Sequence, residues 1–288
     1  MTAPFSVIIP AHNEASVIER CLRALLAVPA GEPPPEIAVV CNGCSDATAE
    51  IARRAAPDAQ VIELEQGSKP LAINTGNAAL SIYPRFVVDA DVSVSWEALR
   101  EVARVLASDP QVMAAAPRLH VDLTGCSRAV RGYYQVWQRT PYVRQGMVGS
   151  GIFGLSREGW EKVGEIPPII ADDYYVRTRF AADQRRSVTT GQDGRTVSFT
   201  VYPPRNLATL IRIESRRRVG EMQLHQTDLG GFTGRSTTGS SLRQALGDGV
   251  GIVDLGWYVL VKLIGRAWAK RQLRSRKPIA WKRDDSSR

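Results

Sequence analysis

Two apolar rhythms alternate through the first third of the chain. Short runs rich in β-branched residues mark strands, and stripes at three- and four-residue steps mark helices. Phe5-Ser6-Val7-Ile8-Ile9-Pro10 predicts a first strand stopped by proline. After the polar loop Ala11-His12-Asn13-Glu14, Val17, Ile18, Cys21, Leu22, Leu25 and Leu26 share one face of a helix over Ser16–Ala27. A Gly/Pro linker over Pro29–Pro35 leads to a second strand, Glu36–Val40. The turn Cys41–Asp46 follows, with Asp46 as the expected N-cap of a helix reaching about Ala55. Val61–Leu64, Lys69–Leu80 and Phe86–Val88 read as strand, helix and strand. This β-α-β-α-β-α-β order predicts an α/β fold with a mostly parallel central sheet and right-handed crossovers.

Beyond it, Ser95 caps an expected helix to about Ala107, and Val112–Val121 is strand-like. Arg128–Arg139 is an aromatic-bearing helix, and a small-residue turn at Gly149-Ser150-Gly151 runs into a strand at Ile152. Ser156–Val163 is a short helix, and Asp172-Asp173 open another. Thr196–Tyr202 alternates as a strand, and Leu207–Leu224 is a basic helix bearing Arg212, Arg216, Arg217 and Arg218. Phe232–Ser241 reads as a Gly/Ser/Thr loop. From Leu242 onward Leu246, Val250, Val253, Trp257, Leu260, Ile264 and Trp268 recur at helical steps, followed by a basic tail. The expected division is residues 1–231 as one domain and 232–288 as loop, amphipathic helix and tail.

Composition is that of a globular protein, 44% hydrophobic and 23% charged. The net charge of +8 and pI near 9.6 favour an anionic partner. The basic residues lie on a tail beside apolar periodicity and form no recognition motif, so no nucleic-acid partner is expected. Tryptophans and a basic flank on an amphipathic helix suit a membrane interface, and they equally suit packing on protein. Four scattered cysteines give no disulfide framework and fit a reducing compartment. The start of the chain lacks the marks of a signal peptide, and no stretch offers roughly 18 uninterrupted apolar residues. The expected location is the cytoplasm, with a peripheral place on the inner face of the membrane left open.

The chemistry centres on Phe86-Val87-Val88-Asp89-Ala90-Asp91, an apolar run ending in two carboxylates. Ligands bind open α/β sheets at the carboxyl ends of strands. Residues i and i+2 of an extended segment point the same way, so Asp89 and Asp91 suit Mg²⁺ or Mn²⁺ completed by a substrate's phosphates. The alternative is an Asp-rich turn. Asp172 and Asp173 are either paired acids for proton transfer or helix-starting acids that complement the macrodipole. No Gly-x-Gly-x-x-Gly or P-loop is present, which disfavours a dehydrogenase or P-loop nucleotidase. Cys41-x-x-Cys44 lacks a second ligand pair and reads as a turn, not as a zinc half-site or redox pair.

From Phe5 to about Gly220 the chain resembles a family 2 inverting glycosyltransferase of the Rossmann-like glycosyltransferase A fold. The anchors, in the family's order, are Val7–Glu14, Cys41–Asp46, Lys69-Pro70-Leu71-Ala72-Ile73-Asn74-Thr75-Gly76, Asp89-Ala90-Asp91 and Asp172-Asp173-x-x-Val176-x-x-Arg179. The resemblance implies an enzyme that moves a sugar from a nucleotide-diphosphate donor to a hydroxyl on a lipid-linked or polysaccharide acceptor. It implies that Asp91, with Asp89, holds Mg²⁺ or Mn²⁺, and that Asp173, with Asp172 as its alternate, is the catalytic base. Pro10, Ala11, Asn13, Glu14, Asn42, Lys69 and Asp89 then line the nucleotide, and Gly149, Ser150, Gly151 and Arg179 meet the sugar or acceptor. Asn42 stands where the family usually places an acid, which leaves both UDP and GDP donors open. Ser215-Arg216-Arg217-Arg218-Val219 only weakly echoes the processive enzymes' motif, so transfer of one sugar is expected, with the arginines left as candidates to face an anion. The competing readings are a nucleotidyltransferase and a non-catalytic nucleotide-sugar-binding module.

Overall fold

The computed structural model describes residues 4–144, 149–226 and 238–274. The chain forms two compact units. One comprises Met1–His120, Gly146–Pro168 and Asp172–Val201; the other comprises Val121–Gln145, Ile169–Ala171 and Tyr202–Arg288.

In the first unit the expected alternation holds: β1 (Ser6–Ala11), α1 (Ile18–Leu25), β2 (Glu36–Asn42), α2 (Thr48–Ala55), β3 (Gln60–Leu64), α3 (Lys69–Ala79) and β4 (Arg85–Val88). β1 runs parallel to β2 and β4, and β2 parallel to β3. β1 and β4 are buried along their whole length, which is why they read as unbroken apolar runs. β1 passes through Pro10 to Ala11 instead of stopping there. Its pairing with β4 ends at Ile8, and the Ser6 N–H points to that side, toward Pro84 O. Pro10 lies on that side and has no N–H to give, which fits the end of the pairing at Ile8. Asp46 is not the N-cap residue of α2, which is Ala47; its carboxylate instead accepts the Thr48 and Ala15 N–H groups.

The chain continues through β5 (Ser93–Val94), α4 (Trp96–Ser108) and β6 (Ala114–Val121). It then enters the second unit with α5 (Arg128–Trp137) and α6 (Pro141–Arg144). Back in the first unit come β7 (Ile152–Leu155), α7 (Arg157–Val163), α8 (Asp172–Thr178), β8 (Arg185–Val188) and β9 (Ser198–Val201). The strands form one sheet in the order β3-β2-β1-β4-β7-β6-β9-β5, with β8 on β6. β7 is antiparallel to both β4 and β6, so strand direction reverses beside β4. The apolar pattern does not announce β5, which is two residues long, or β8, whose sequence is Arg-Arg-Ser-Val. Phe5, Phe86 and Trp96 fill the core beneath the sheet, with Phe5 edge-on to Phe86 at 5.6 Å.

The second unit completes itself with α9 (Leu207–Gln226), α10 (Thr238–Gly247) and α11 (Ile252–Arg274). The stretch expected as a loop to Ser241 is already helical at Thr238, while residues 232–237 and the basic tail from 275 lie outside the described residues. The single amphipathic helix expected from Leu242 is two helices, broken at residues 248–251, where Gly249 takes φ 74°. Tyr258, Val261 and Ala269 of α11 are buried among α5 and α9. There the Tyr133 hydroxyl donates to Glu214 at 2.8 Å, and the Lys262 ammonium pairs with the same carboxylate. Arg217 and Arg218 both reach Glu221, and Arg217 also lies over Tyr142. The outward stripe of α11 is apolar: Ile252 is 81% exposed, Leu263 56% and Trp268 50%. No helix among the described residues is long and apolar enough to cross a membrane.

The Glu214–Lys262 pair is closed off from water, so removing one partner strands the other charge at a cost of about 3–5 kcal/mol. We expect Lys262→Met to lose about that much stability in urea unfolding. The double variant Lys262→Met with Glu214→Gln should recover most of it, because the amide oxygen still accepts from Tyr133 and neither member of the pair is left charged.

Candidate active site

β1 and β2 end side by side at Ala11 and Asn42, and the two following segments are laced together. The buried Asn42 amide donates to Ala11 O at 2.8 Å. His12 Nδ1 lies 2.6 Å from Asn42 O, and Asn13 Oδ1 accepts the Ser45 N–H at 2.8 Å. The Asn13 N–H points at Cys44 Sγ, 3.3 Å away. Asn13 accepts these partners with φ at 56°, a left-handed conformation that Asn tolerates better than most residues. Glu14 is buried, and its N–H donates to Thr48 at the start of α2. Gly43, at φ 59°, lies against Gly67 so closely that a Cβ on it would meet the Gly67 nitrogen at 2.8 Å. Pro10, Ala11, Asn13, Glu14 and Asn42 are thus brought together in one rigid rim. His12, Cys44 and Ser45 belong to the same lacing. Their signal in the sequence was only their place beside the chosen residues.

A second cluster gathers the acids. Lys69 opens α3 behind the Ser68 cap, and its ammonium lies 2.8 Å from Asp89 and 3.2 Å from Asp172. Burial opposes its charge, but Asp172, Asp89 and Asp173 together hold its pKa above the usual lysine range. Burial pushes the Asp172 carboxyl up to about 6 against the pull of Lys69. Asp173 is less buried, and both its oxygens are oriented: Oδ2 accepts the Ser150 N–H at 3.2 Å and Oδ1 the Tyr174 N–H at 2.8 Å. The Gly149-Ser150-Gly151 loop carries φ values of 114°, 64° and 96° in succession. Its Gly151 O accepts the Asp89 N–H at 2.8 Å, so one strained loop ties Asp89 to Asp173.

Asp91 sits differently from the expectation. Asp89, Ala90 and Asp91 are not extended; the Val92 N–H closes a turn onto Asp89 O at 3.0 Å. The same-face argument for an i, i+2 pair therefore does not apply. Asp91 lies beside α1, where its carbonyl is 3.5 Å from Arg20 and its charge acts on Cys21, whose thiol burial has already pushed up to about 12. Arg179 stacks over Tyr175 at 4.2 Å. Among the described residues no three His, Cys, Asp or Glu side chains gather to hold a metal ion. With Asp89 and Asp91 alone, a divalent cation needs further oxygens from a ligand and water. The two acids do not make a site for an ion held by the protein alone.

Burial of Asp172 has a signed consequence. Its folded pKa of about 6 exceeds the ordinary 3.8, so within that window the unfolded chain releases a proton that the folded chain keeps. Stability should therefore fall as pH rises through the window. We expect Asp172→Asn to remove this slope and gain on the wild type by up to about 3 kcal/mol across it, as read by urea unfolding at a series of pH values.

Known proteins share this architecture. Glycosyltransferase AglE of Haloferax volcanii is 41% identical over 80 residues, a match spanning 26% of this chain and only 26% of that relative's length. The mannosyltransferase PcManGT of Pyrobaculum calidifontis, solved with GDP-Man and Mn²⁺, superposes with a TM-score of 0.59 at 21% identity, over 97% of this chain and 77% of that one. The glucosyl-3-phosphoglycerate synthase of Mycobacterium tuberculosis, solved with Mn²⁺, UDP and glucosyl-3-phosphoglycerate, gives 0.56 at 18% identity, over 80% and 81% of the two chains. At such identities the likeness establishes the glycosyltransferase A fold. The sequence model described as Glycosyl transferase family 2 matches residues 6–151, about half of the chain, and ends before Asp172. From β1 through the Gly149–Gly151 loop, this chain belongs to glycosyl transferase family 2.

Proposed function

We propose that the protein is an inverting, metal-dependent glycosyltransferase that moves one sugar from a UDP- or GDP-type donor to a hydroxyl of a lipid-linked or polysaccharide acceptor. The observation that carries this reading is the division of labour within the acid cluster. Asp172 is 4% exposed and pinned by Lys69, so it holds the cluster together without reaching an acceptor. Asp173 is half-buried, with its oxygens aimed by two backbone N–H groups. It takes the acceptor's hydroxyl proton as that oxygen attacks the anomeric carbon on the face opposite the diphosphate, which inverts the centre. Asp91 and Asp89 would hold Mg²⁺ or Mn²⁺, which supplies positive charge to the leaving diphosphate. Lys69 adds a fixed cation at the same end of the sheet. The rim from Pro10 to Glu14 and Asn42 frames the nucleoside. The Asn42 Nδ2 is committed to Ala11 O, which leaves its Oδ1 as the group able to accept from a base. Neighbours solved with GDP-Man or UDP and Mn²⁺ support this donor class.

Calorimetric titration of UDP, GDP, CDP and dTDP, with and without Mn²⁺, tests the donor site. One nucleotide should bind in a metal-dependent way, and Asp91→Asn should abolish that dependence. Asp173→Asn should keep the nucleotide affinity and lower turnover of the matching nucleotide-sugar by about 10²–10⁴-fold. Unchanged turnover removes Asp173 as the base.

The second unit supports a place at an anionic membrane surface. The apolar stripe of α11 is flanked by exposed Arg266, Lys270 and Arg271, and Leu242, Leu246, Leu260 and Leu263 line an apolar groove of about 510 Å³ between α10 and α11. An apolar face with a cationic flank is complementary to acyl chains beneath anionic headgroups. The full chain should sediment with phosphatidylserine-containing vesicles, less with pure phosphatidylcholine, and weakly after Leu263→Glu. A dimer that Leu263→Glu dissolves, with no vesicle binding, assigns the face to a second copy instead.

A further inference from the structure

The sequence sets the Cys41–Cys44 pair aside as a turn; its surroundings give it more to do. Cys41 is buried near the end of β2, three residues before the partly exposed Cys44, and it belongs to the core cluster against which Cys44 packs. Cys44 Sγ accepts the Asn13 N–H at 3.3 Å and lies 3.5 Å from Ala11 O. The sulfur is thus one of the ties between the turn after β2 and the loop after β1. Gly43 between them takes φ 59°, which folds the chain back on itself. The other cysteines, Cys21 and Cys126, are buried on other elements, and all four are free thiols.

We propose that Cys41 and Cys44 are a modification site: a peroxide joins them in a disulfide, and the bond disables the nucleotide rim. The second half rests on the reading of that rim as the donor site. The Cys44 thiolate attacks one peroxide oxygen and the O–O bond breaks, leaving a sulfenic acid on Cys44 and releasing the other oxygen as water. The Cys41 sulfur then attacks the Cys44 sulfur, the S–O bond breaks, and the hydroxyl departs with the Cys41 proton as a second water. Two thiols and one hydrogen peroxide give one disulfide and two waters; the sulfurs lose two electrons and the peroxide gains them. Cys44 is the attacking group because it is the partly exposed member of the pair and receives the Asn13 N–H, and its Cys41 neighbour pulls its thiol down to about 6 against burial. Cys41 is buried, its thiol moves in the opposite direction, and it serves as the resolving thiol.

An S–S bond of about 2.05 Å repositions the Cys44 sulfur and removes the S–H that points at Ala11 O. The Asn13 N–H then loses its sulfur acceptor, and the left-handed Asn13 loses one of the contacts that hold it. Asn13 and Ala11 are the groups read as lining the nucleoside, so donor affinity falls.

The test uses the full chain, reduced and then treated with hydrogen peroxide. Intact mass after N-ethylmaleimide labelling should show two fewer reactive thiols, with the bond mapped between Cys41 and Cys44. Affinity for UDP and GDP with Mn²⁺ should fall about tenfold, the scale of one lost ordering hydrogen bond, and return with dithiothreitol. In Cys41→Ala, peroxide should leave a Cys44 sulfenic acid that dimedone traps, with no disulfide. Full labelling of both thiols after peroxide overturns the proposal. A disulfide that leaves nucleotide affinity unchanged overturns its second half. If the reduced protein binds neither nucleotide, the donor-site reading falls and the loss of affinity falls with it, while the mass result still judges the bond.

Discussion

Three carboxylates cannot share one end of a sheet without a counter-charge. Two like charges about 4 Å apart at an effective dielectric of about 20 repel by about 4 kcal/mol, and here Asp89, Asp172 and Asp173 act on one another. Lys69 resolves the conflict by reaching Asp89 and Asp172 together. Its place is set by α3, whose Ser68 cap fixes the first turn and whose helix packs on β1 and β2. The parallel strands, the crossover and the cap thus converge on putting one ammonium where the acids need it. Burial of Asp172 is the residual cost of that arrangement.

The rest of the candidate site is held by backbone geometry more than by charge. Gly149, Ser150 and Gly151 all lie at positive φ, and for the serine this costs about 1–3 kcal/mol. The strain delivers two hydrogen bonds, from Ser150 to Asp173 and from Asp89 to Gly151. Asn13 plays a comparable part on the rim. Asn13 and Ser150, the described non-glycine residues at positive φ, thus lie in the rim and beside the acids.

Buried parallel strands are the part of the fold that a sequence shows most openly, and β1, β2 and β4 were legible as apolar runs, while the unburied β3 showed only through Val61, Ile62 and Leu64. β5 and β8 were not, because a two-residue strand and an arginine-rich edge carry no periodic signal. The helix break at residues 248–251 was hidden because apolar spacing on either side stays in step. The acid motifs were readable as residue types in order. Their geometry was not, since Asp89-Ala90-Asp91 turns where an extended segment was assumed. Nor does any local pattern say that the Asn42 amide binds Ala11 or that Arg217 belongs to a helix interface. Those are long-range contacts, set by which elements the fold makes neighbours.

The close approach of Gly43 to Gly67 joins two loops that belong to different strands. With no room for even one carbon atom between them, the turn after β2 cannot tilt inward without pushing the loop after β3. Gly67 stands two residues before Lys69, so that push is delivered to the residue that balances the acids. The missing side chain of Gly43 is thus what lets the two loops touch. Substitution at Gly43 would press on the loop that leads to Lys69, whereas a Cβ on Gly67 would meet only His12, at an ordinary 3.5 Å.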